Sequence, residues 1–218
     1  MNMIFTLVSE ATLETLAMVG FSTVFSLILG LPLGILLCVT DAETGIMKKP
    51  ILNQVLTRIV NVLRSFPFMI LMILLFPLSR KIVGTSIGTT ATIVPLSIAA
   101  APFVARIIET ALKEVDPGVV QAARAMGSTN MQIIWKVLLP EAMPSLVSGI
   151  TLTIINLIGY SAMAGAIGGG GLGDLAIRYG YQRFRTDIMA VSVVVILVLV
   201  EVIQVVGTKI SAKLLAKR

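Results

Sequence analysis

The segment Ile188–Val206 reads IMAVSVVVILVLVEVIQVV and carries one ionisable side chain, Glu201. A helix rises 1.5 Å per residue, so about 20 mostly apolar residues cross the roughly 30 Å hydrocarbon core of a bilayer. Four earlier segments have the same character, and they cover residues 16–39, 59–78, 87–108 and 146–167. The sequence therefore predicts an all-α integral membrane protein with five transmembrane helices.

The composition of the whole chain supports this class and excludes several functions. Of the 218 residues, 56% are hydrophobic and 13% are charged. This is more apolar surface than one soluble core could bury. The net charge is +6, but the basic residues lie between apolar runs and aromatic residues are only 6%, so nucleic-acid binding is not predicted. With no His and one Cys, the chain is not expected to be an enzyme or to bind a metal or cofactor.

Lysine and arginine are distributed unevenly between the two sides of the predicted spans. Lys- and Arg-rich loops stay in the cytoplasm, which predicts a cytoplasmic C-terminus. An odd number of spans then puts the N-terminus outside. The predicted cytoplasmic cations are Lys48, Lys49, Arg58, Arg64, Arg106, Lys113, Arg124, Lys136, Lys209, Lys213, Lys217 and Arg218. The predicted outer cations are Arg80, Lys81, Arg178, Arg183 and Arg185.

The longest hydrophilic connection, residues 109–144, has the pattern of two short helices. Asp116 before Pro117 is typical of an N-cap and a first helical turn, and Gly127 suits the left-handed position that ends a helix. Thr129 and Gln132 have the spacing of a capping box for the second helix.

Pro140 is expected to end that second helix, whose predicted apolar stripe consists of Met131, Ile134, Trp135 and Leu138. From spacing alone, this apolar face could lie on lipid headgroups or bind a partner protein.

The loop also resembles the EAA loop of binding-protein-dependent ABC importer permeases. That pattern is Glu-Ala-Ala, three residues, Gly, nine residues, and Ile-x-Leu-Pro. The matching positions here are Gln121, Ala122, Ala123, Gly127, Val137, Leu139 and Pro140. Gln121 replaces the Glu and so lacks its negative charge, and Val137 replaces the Ile. The resemblance implies a type I ABC importer permease fold, in which the loop forms a cytoplasmic coupling helix that docks in a cleft of an ATPase subunit. Trp135 is expected to anchor this contact.

Other segments resemble the methionine uptake permeases of this family. They are residues 62–68, 82–88, 100–106, 159–163, 170–173 and 179–181. The resemblance covers nearly the whole chain, as one permease domain, 1–218. It implies a homodimer in a bacterial inner membrane, two ATPase subunits that bind ATP and Mg²⁺, and an extracytoplasmic lipoprotein that delivers D- or L-methionine. It also implies transport by alternating access.

The predicted translocation pathway lies in the segment 146–167. Asn156 and Tyr160 are four residues apart on one helix face, Ser161 is adjacent, and Met163 follows. Asn156 could instead form a helix–helix hydrogen bond, and Met163 could simply pack. Because methionine is soft and flexible, two copies of Met163 are expected to narrow the pore as a gate.

Two other functional classes compete with the importer. A carrier driven by ion gradients would have more ionisable residues within its spans and no docking pattern in its loop. A membrane enzyme would need a catalytic set of His, paired carboxylates or reactive Cys, which the spans lack. A permease for another small amino acid or organic solute stays possible within the importer family.

Overall fold

The computed structural model describes residues 2–216, so Lys217 and Arg218 of the predicted cytoplasmic set lie outside the described residues. The described chain contains helices and no strand, which confirms the all-α prediction. The helices are α1 (Asn2–Val39), α2 (Pro50–Ser65), α3 (Phe68–Val83), α4 (Thr89–Lys113), α5 (Pro117–Ala125), α6 (Asn130–Ile133), α7 (Leu139–Gly165), α8 (Gly171–Leu175) and α9 (Thr186–Leu215). Two π-helical turns, Ile134–Leu138 and Ala176–Tyr181, follow α6 and α8.

Four helical stretches are long and apolar enough to cross a membrane. They are Ile4–Val39, Thr89–Lys113, Asn130–Gly165 and Thr186–Leu215. The pair α2 and α3 would make a fifth span if the two helices cross together. Within the described residues the structure therefore supports four or five spans.

The second predicted span, 59–78, differs from the structure because it is not one continuous helix. α2 ends at Ser65, and α3 begins at Phe68 after Pro67, whose backbone is extended (φ −61°, ψ 124°). A proline ring disfavours the helical conformation of the residue before it, here Phe66. The chain therefore breaks at this proline, although the apolar run continues through it.

The chain forms two compact units. The first comprises Met1–Ser26, Phe66–Ala100 and Thr153–Val205. Its core packs α1, α4 and α7 through Met18, Leu96 and Leu157, each fully buried. At the start of α8, the Glu14 carboxylate accepts a hydrogen bond from the Gly171 N–H at 2.7 Å. The N-terminal half of α1 thus holds the glycine-rich turn that precedes α8.

The second unit comprises Leu27–Ser65, Ala101–Leu152 and Val206–Arg218. Gly30 and Gly34 lie directly against α4, so the four-residue spacing of these glycines marks a helix contact. The largest core cluster joins α4 to the loop helices through Ile108, Leu112 and Ile133.

Candidate functional site

The start and the end of α5 have the geometry that the sequence predicts. The Asp116 carboxylate accepts a hydrogen bond from the Gly118 N–H at 2.7 Å, which caps the helix. At the other end, Gly127 has a φ of +79°, a left-handed conformation that favours glycine. The Ser128 N–H donates back to the Ala123 carbonyl at 3.1 Å, which closes the helix end.

The capping box of α6 is also confirmed. The Thr129 hydroxyl accepts from the Gln132 N–H at 3.3 Å, and the Gln132 side chain accepts from the Thr129 N–H at 2.8 Å. These reciprocal bonds satisfy two N–H groups that a helix start would otherwise leave unpaired.

The prediction that Pro140 ends the second helix is wrong. The chain continues from α6 through the π-helical turn Ile134–Leu138 into α7. The Leu139 N–H donates to the Ile134 carbonyl, five residues earlier. In an ordinary α-helix, a proline ring clashes with the carbonyl four residues before it. The wider π-helical turn immediately before Pro140 shifts that register, so the helix passes through the proline.

The same π-helical turn divides the predicted apolar stripe. Ile134 and Leu138 are buried in the core cluster of the second unit. Met131 and Trp135 face outward, with exposures of 64% and 57%, and the Trp135 Nε1 lies 3.2 Å from the Met131 sulfur. A π-helical turn takes more residues than an α-helical one, so a spacing of 3.6 residues no longer identifies one face.

The eight predicted docking residues differ in burial. Ala123 is buried, and Val137 and Leu139 are half-buried against the same core cluster. The exposed members are Gln121, Ala122, Gly127, Trp135 and Pro140.

Further exposed apolar side chains lie in and next to α5 and α6, and we call the set the outer loop surface: Val119, Ala122, Met126, Met131 and Trp135. The sequence prediction missed Val119 and Met126, the latter 79% exposed. They lie three residues before and four residues after Ala122, so the helical period of α5 was the signal that could have found them.

The predicted pathway residues do not share one environment. Asn156 and Met163 are both exposed on α7, with Gly159 between them on the same face. Tyr160 is half-buried, and its ring stacks on Phe68 with the centroids 4.5 Å apart.

Ser161 is separate from this exposed face. It is buried, and its hydroxyl donates to the Ile158 carbonyl at 2.8 Å. The structure thus places Asn156 and Met163 on one exposed face of α7 and leaves Ser161 in the helix packing.

Comparison with known proteins decides the family. Residues 30–218 match the model of the family described as "Binding-protein-dependent transport system inner membrane component". The chain belongs to this family. Its members are transport-system subunits rather than enzymes, which confirms that prediction.

Individual proteins of this family are similar to this chain over most of its length. The chain is 53% identical over 201 residues to a probable D-methionine transport system permease protein of Vibrio cholerae, covering 92% of this chain and 89% of the relative. It is 51% identical over 159 residues to a methionine import system permease protein of Bacillus subtilis, covering 73% and 72%.

A solved structure of the inward-facing MetNI methionine ABC transporter contains a chain with the same fold. The TM-score is 0.95 at 46% identity, covering 98% of this chain and 99% of that one. The predicted type I ABC permease fold is therefore confirmed.

A feature that sequence reasoning missed lies beside the loop of this permease. The Glu109 carboxylate, buried in α4, forms ion pairs with Arg106 at 2.6 Å and with Lys113 at 2.9 Å. Lys113 also pairs with Asp41 at 2.8 Å, and Arg106 donates to the Asn61 side chain at 2.8 Å. Asp41 and Lys113 are 72 residues apart in the sequence, so no local sequence pattern predicts their contact.

Asp41 stays ionised at any physiological pH. Its carboxylate accepts a hydrogen bond from Lys113 and further ones from backbone N–H groups, and these hold the pKa of Asp41 well below its usual range. Because the pKa of Asp41 is lower in the folded protein than in the unfolded chain, these hydrogen bonds add to the free energy of unfolding above about pH 4. This contribution is lost only as the pH falls below that value.

Proposed function

We propose that this chain is the transmembrane permease subunit of an ATP-driven methionine importer in a bacterial inner membrane. The observation that carries this proposal is near-full-length similarity, at 46–53% identity, to permeases and a transporter whose names specify methionine. The exposed outer loop surface supports it, since an importer permease needs a surface on which its ATPase can dock.

The proposed membrane arrangement has five spans, with α2 and α3 together forming the second. The loop 109–144 and the C-terminus are cytoplasmic, and the N-terminus is outside. This orientation rests on the excess of Lys and Arg in the loops after the first and third spans and in the C-terminal tail. Two copies of the chain would assemble with two ATPase subunits and receive methionine from an extracytoplasmic binding lipoprotein.

The outer loop surface would provide the ATPase contact. Trp135 and Met126 are large, exposed and apolar, and a tryptophan of this kind often dominates the energy of an interface. Gln121 is exposed but uncharged, so it would contribute hydrogen bonds rather than an ion pair. ATP and Mg²⁺ would be bound by the ATPase subunits, and the permease itself would hold no cofactor.

Transport would follow from movement of the docked loops. ATP binding would draw the ATPases together, the docked loops would move with them, and the spans would rotate to open outward and receive methionine. Hydrolysis would reset them inward. In this scheme the exposed face of α7 that carries Asn156 and Met163 would line the pathway, and Met163 from each copy would narrow it.

Substrate-stimulated ATP hydrolysis tests the proposal and separates methionine from other solutes. The complex of permease, ATPase and cognate binding protein is reconstituted, and hydrolysis is measured with L-methionine, D-methionine and a panel of other small amino acids. We expect stimulation by one or both methionine enantiomers. Stimulation by another amino acid, with none by methionine, would replace methionine as the substrate.

A further inference from the structure

Two sets of polar contacts, joined by the backbone of the connection between α1 and α2, run through the second unit from α5 to α2. Their centre is Glu109, whose side chain is only 8% exposed. One carboxylate oxygen accepts from Arg106 at 2.6 Å and the other from Lys113 at 2.9 Å, so both oxygens are used. A buried carboxylate that loses one such partner keeps an uncompensated charge, so these contacts resist separation.

At one end, these polar contacts reach α5. Lys113 pairs with one oxygen of Asp41, and the other oxygen accepts from the N–H groups of Glu43 and Thr44 at 3.0 Å each. These bonds shape the connection between α1 and α2. From α5, the Arg124 guanidinium donates to the Ile46 carbonyl of that connection at 2.9 Å.

At the opposite end, the polar contacts reach α2. The second terminal nitrogen of Arg106 donates to the Asn61 side-chain oxygen at 2.8 Å. A movement of α5 would therefore pass through Arg124 to the backbone of the connection, and from Asp41 through the ion pairs of α4 to α2.

Apolar packing is incomplete where α5 meets the connection. A cavity of about 290 Å³ lies there, lined by Cys38, Gly45, Val120, Gln121 and Arg124 among others. The Arg124 contact to the Ile46 carbonyl therefore joins α5 to the connection beside this space, in addition to the apolar packing of Ile46 and Val120.

We propose that Glu109 is a positioning residue for transport, which couples displacement of the docked α5 to α2. This inference rests on the proposed ATPase docking. Glu109 itself touches neither ATPase nor substrate in this account. It acts by holding Arg106 and Lys113 at fixed positions on α4.

The test compares Glu109→Gln with Glu114→Gln in the reconstituted complex. Glu114 is a matched control, since it directly follows the last residue of α4, is exposed, and accepts a hydrogen bond from the Ser145 hydroxyl at 2.6 Å. We expect methionine uptake per ATP hydrolysed to fall about tenfold in Glu109→Gln, a typical size for coupling between sites. Hydrolysis and co-purification of the ATPase should stay near wild type, and Glu114→Gln should behave as wild type.

A wild-type uptake ratio in Glu109→Gln would overturn the inference, as would a loss of uptake matched by an equal loss of hydrolysis or assembly. A second variant tests whether these polar contacts act as one network. Combined with Glu109→Gln, Asp41→Asn should lower the ratio no further, because contacts in one network are not additive. Independent, multiplying effects would overturn the inference. If the wild-type complex showed no ATP-dependent uptake, the proposed function would fail. If the wild-type complex showed uptake and Glu109→Gln kept the wild-type ratio, only the inference about Glu109 would fail.

Discussion

Gly34 determines how closely α1 approaches α4. A Cβ atom at this position would lie 2.6 Å from the Ala105 carbonyl oxygen and 2.7 Å from the Ile108 Cβ. Both neighbours belong to a helix that cannot yield locally. Small residues at such contacts let membrane helices pack by close van der Waals approach, in the absence of a strong hydrophobic driving force.

We therefore expect Gly34→Val to destabilise the protein. Overpacking of this kind costs about 1–3 kcal/mol, and the rigid backbone atom at the contact favours the upper part of that range. Thermal unfolding in detergent measures it, with Gly20→Val in the same helix as the control, since a Cβ there meets nothing within 4 Å. Equal effects of the two substitutions would show that the close approach at Gly34 is unimportant.

Met163 is the residue on which the proposed gate depends. Its side chain is 49% exposed on the α7 face that also carries Asn156. Met163→Ala should raise ATP-independent leak of methionine through liposomes that contain the complex, because the side chain that narrows the pathway becomes shorter. Met143→Ala, at another exposed methionine of α7, should leave the leak unchanged. Unchanged leak and unchanged coupled uptake in Met163→Ala would exclude it as the gate.

At the scale of an element, the docking loop shows which features a sequence predicts well. The caps at Asp116, Gly127 and Thr129 depend on bonds between residues two to five positions apart, so local spacing predicts them correctly. The π-helical turn at Ile134–Leu138 lies where Ile133 and Ile134 are both buried in a core built from distant segments. Spacing within the loop does not contain that information, which is why the predicted end at Pro140 was wrong.

The ion pairs of α4 illustrate the same limit. Glu109 and Lys113 could be paired from their spacing on one helix. The contacts to Asp41 and Asn61 arise only when α4 packs beside the end of α1 and beside α2. The ion pairs within α4 could therefore be inferred from spacing, whereas the contacts of α4 with Asp41 and Asn61 needed the structure.

Gly127→Trp tests the loop as an element. The positive φ makes any bulky residue strained there, by about 1–2 kcal/mol, and the indole would project from the exposed loop. ATP-coupled uptake should be lost while membrane insertion, measured by fractionation, stays normal. Gly127→Asn is the control, because asparagine tolerates the left-handed conformation, and it should retain most uptake. Normal coupling in Gly127→Trp would contradict the docking assignment.

Gln121→Glu tests whether the absent charge matters to docking. Gln121 is exposed and lines the cavity beside α5, so a glutamate of similar length can occupy its place without burial. Uptake should stay near wild type. A large loss would mean that this position contacts a negative or apolar part of the ATPase.

At the scale of the whole molecule, the apolar surface requires an apolar environment. In α9, Val194, Leu197 and Val198 are each more than half exposed. Hydropathy therefore predicted the membrane class correctly, because α-helices that satisfy their own backbone can expose apolar side chains to lipid. Hydropathy did not predict the break between α2 and α3, because Pro67 interrupts the helix without interrupting the apolar run.

Uptake by reconstituted protein tests the central claim, that this chain moves methionine only as part of an ATP-driven complex. Proteoliposomes are prepared with the chain alone under an imposed ion gradient, and with the chain, its ATPase, the binding protein and ATP. We predict accumulation of methionine against its gradient in the second preparation and none in the first. Concentrative, gradient-driven uptake by the chain alone would contradict the account.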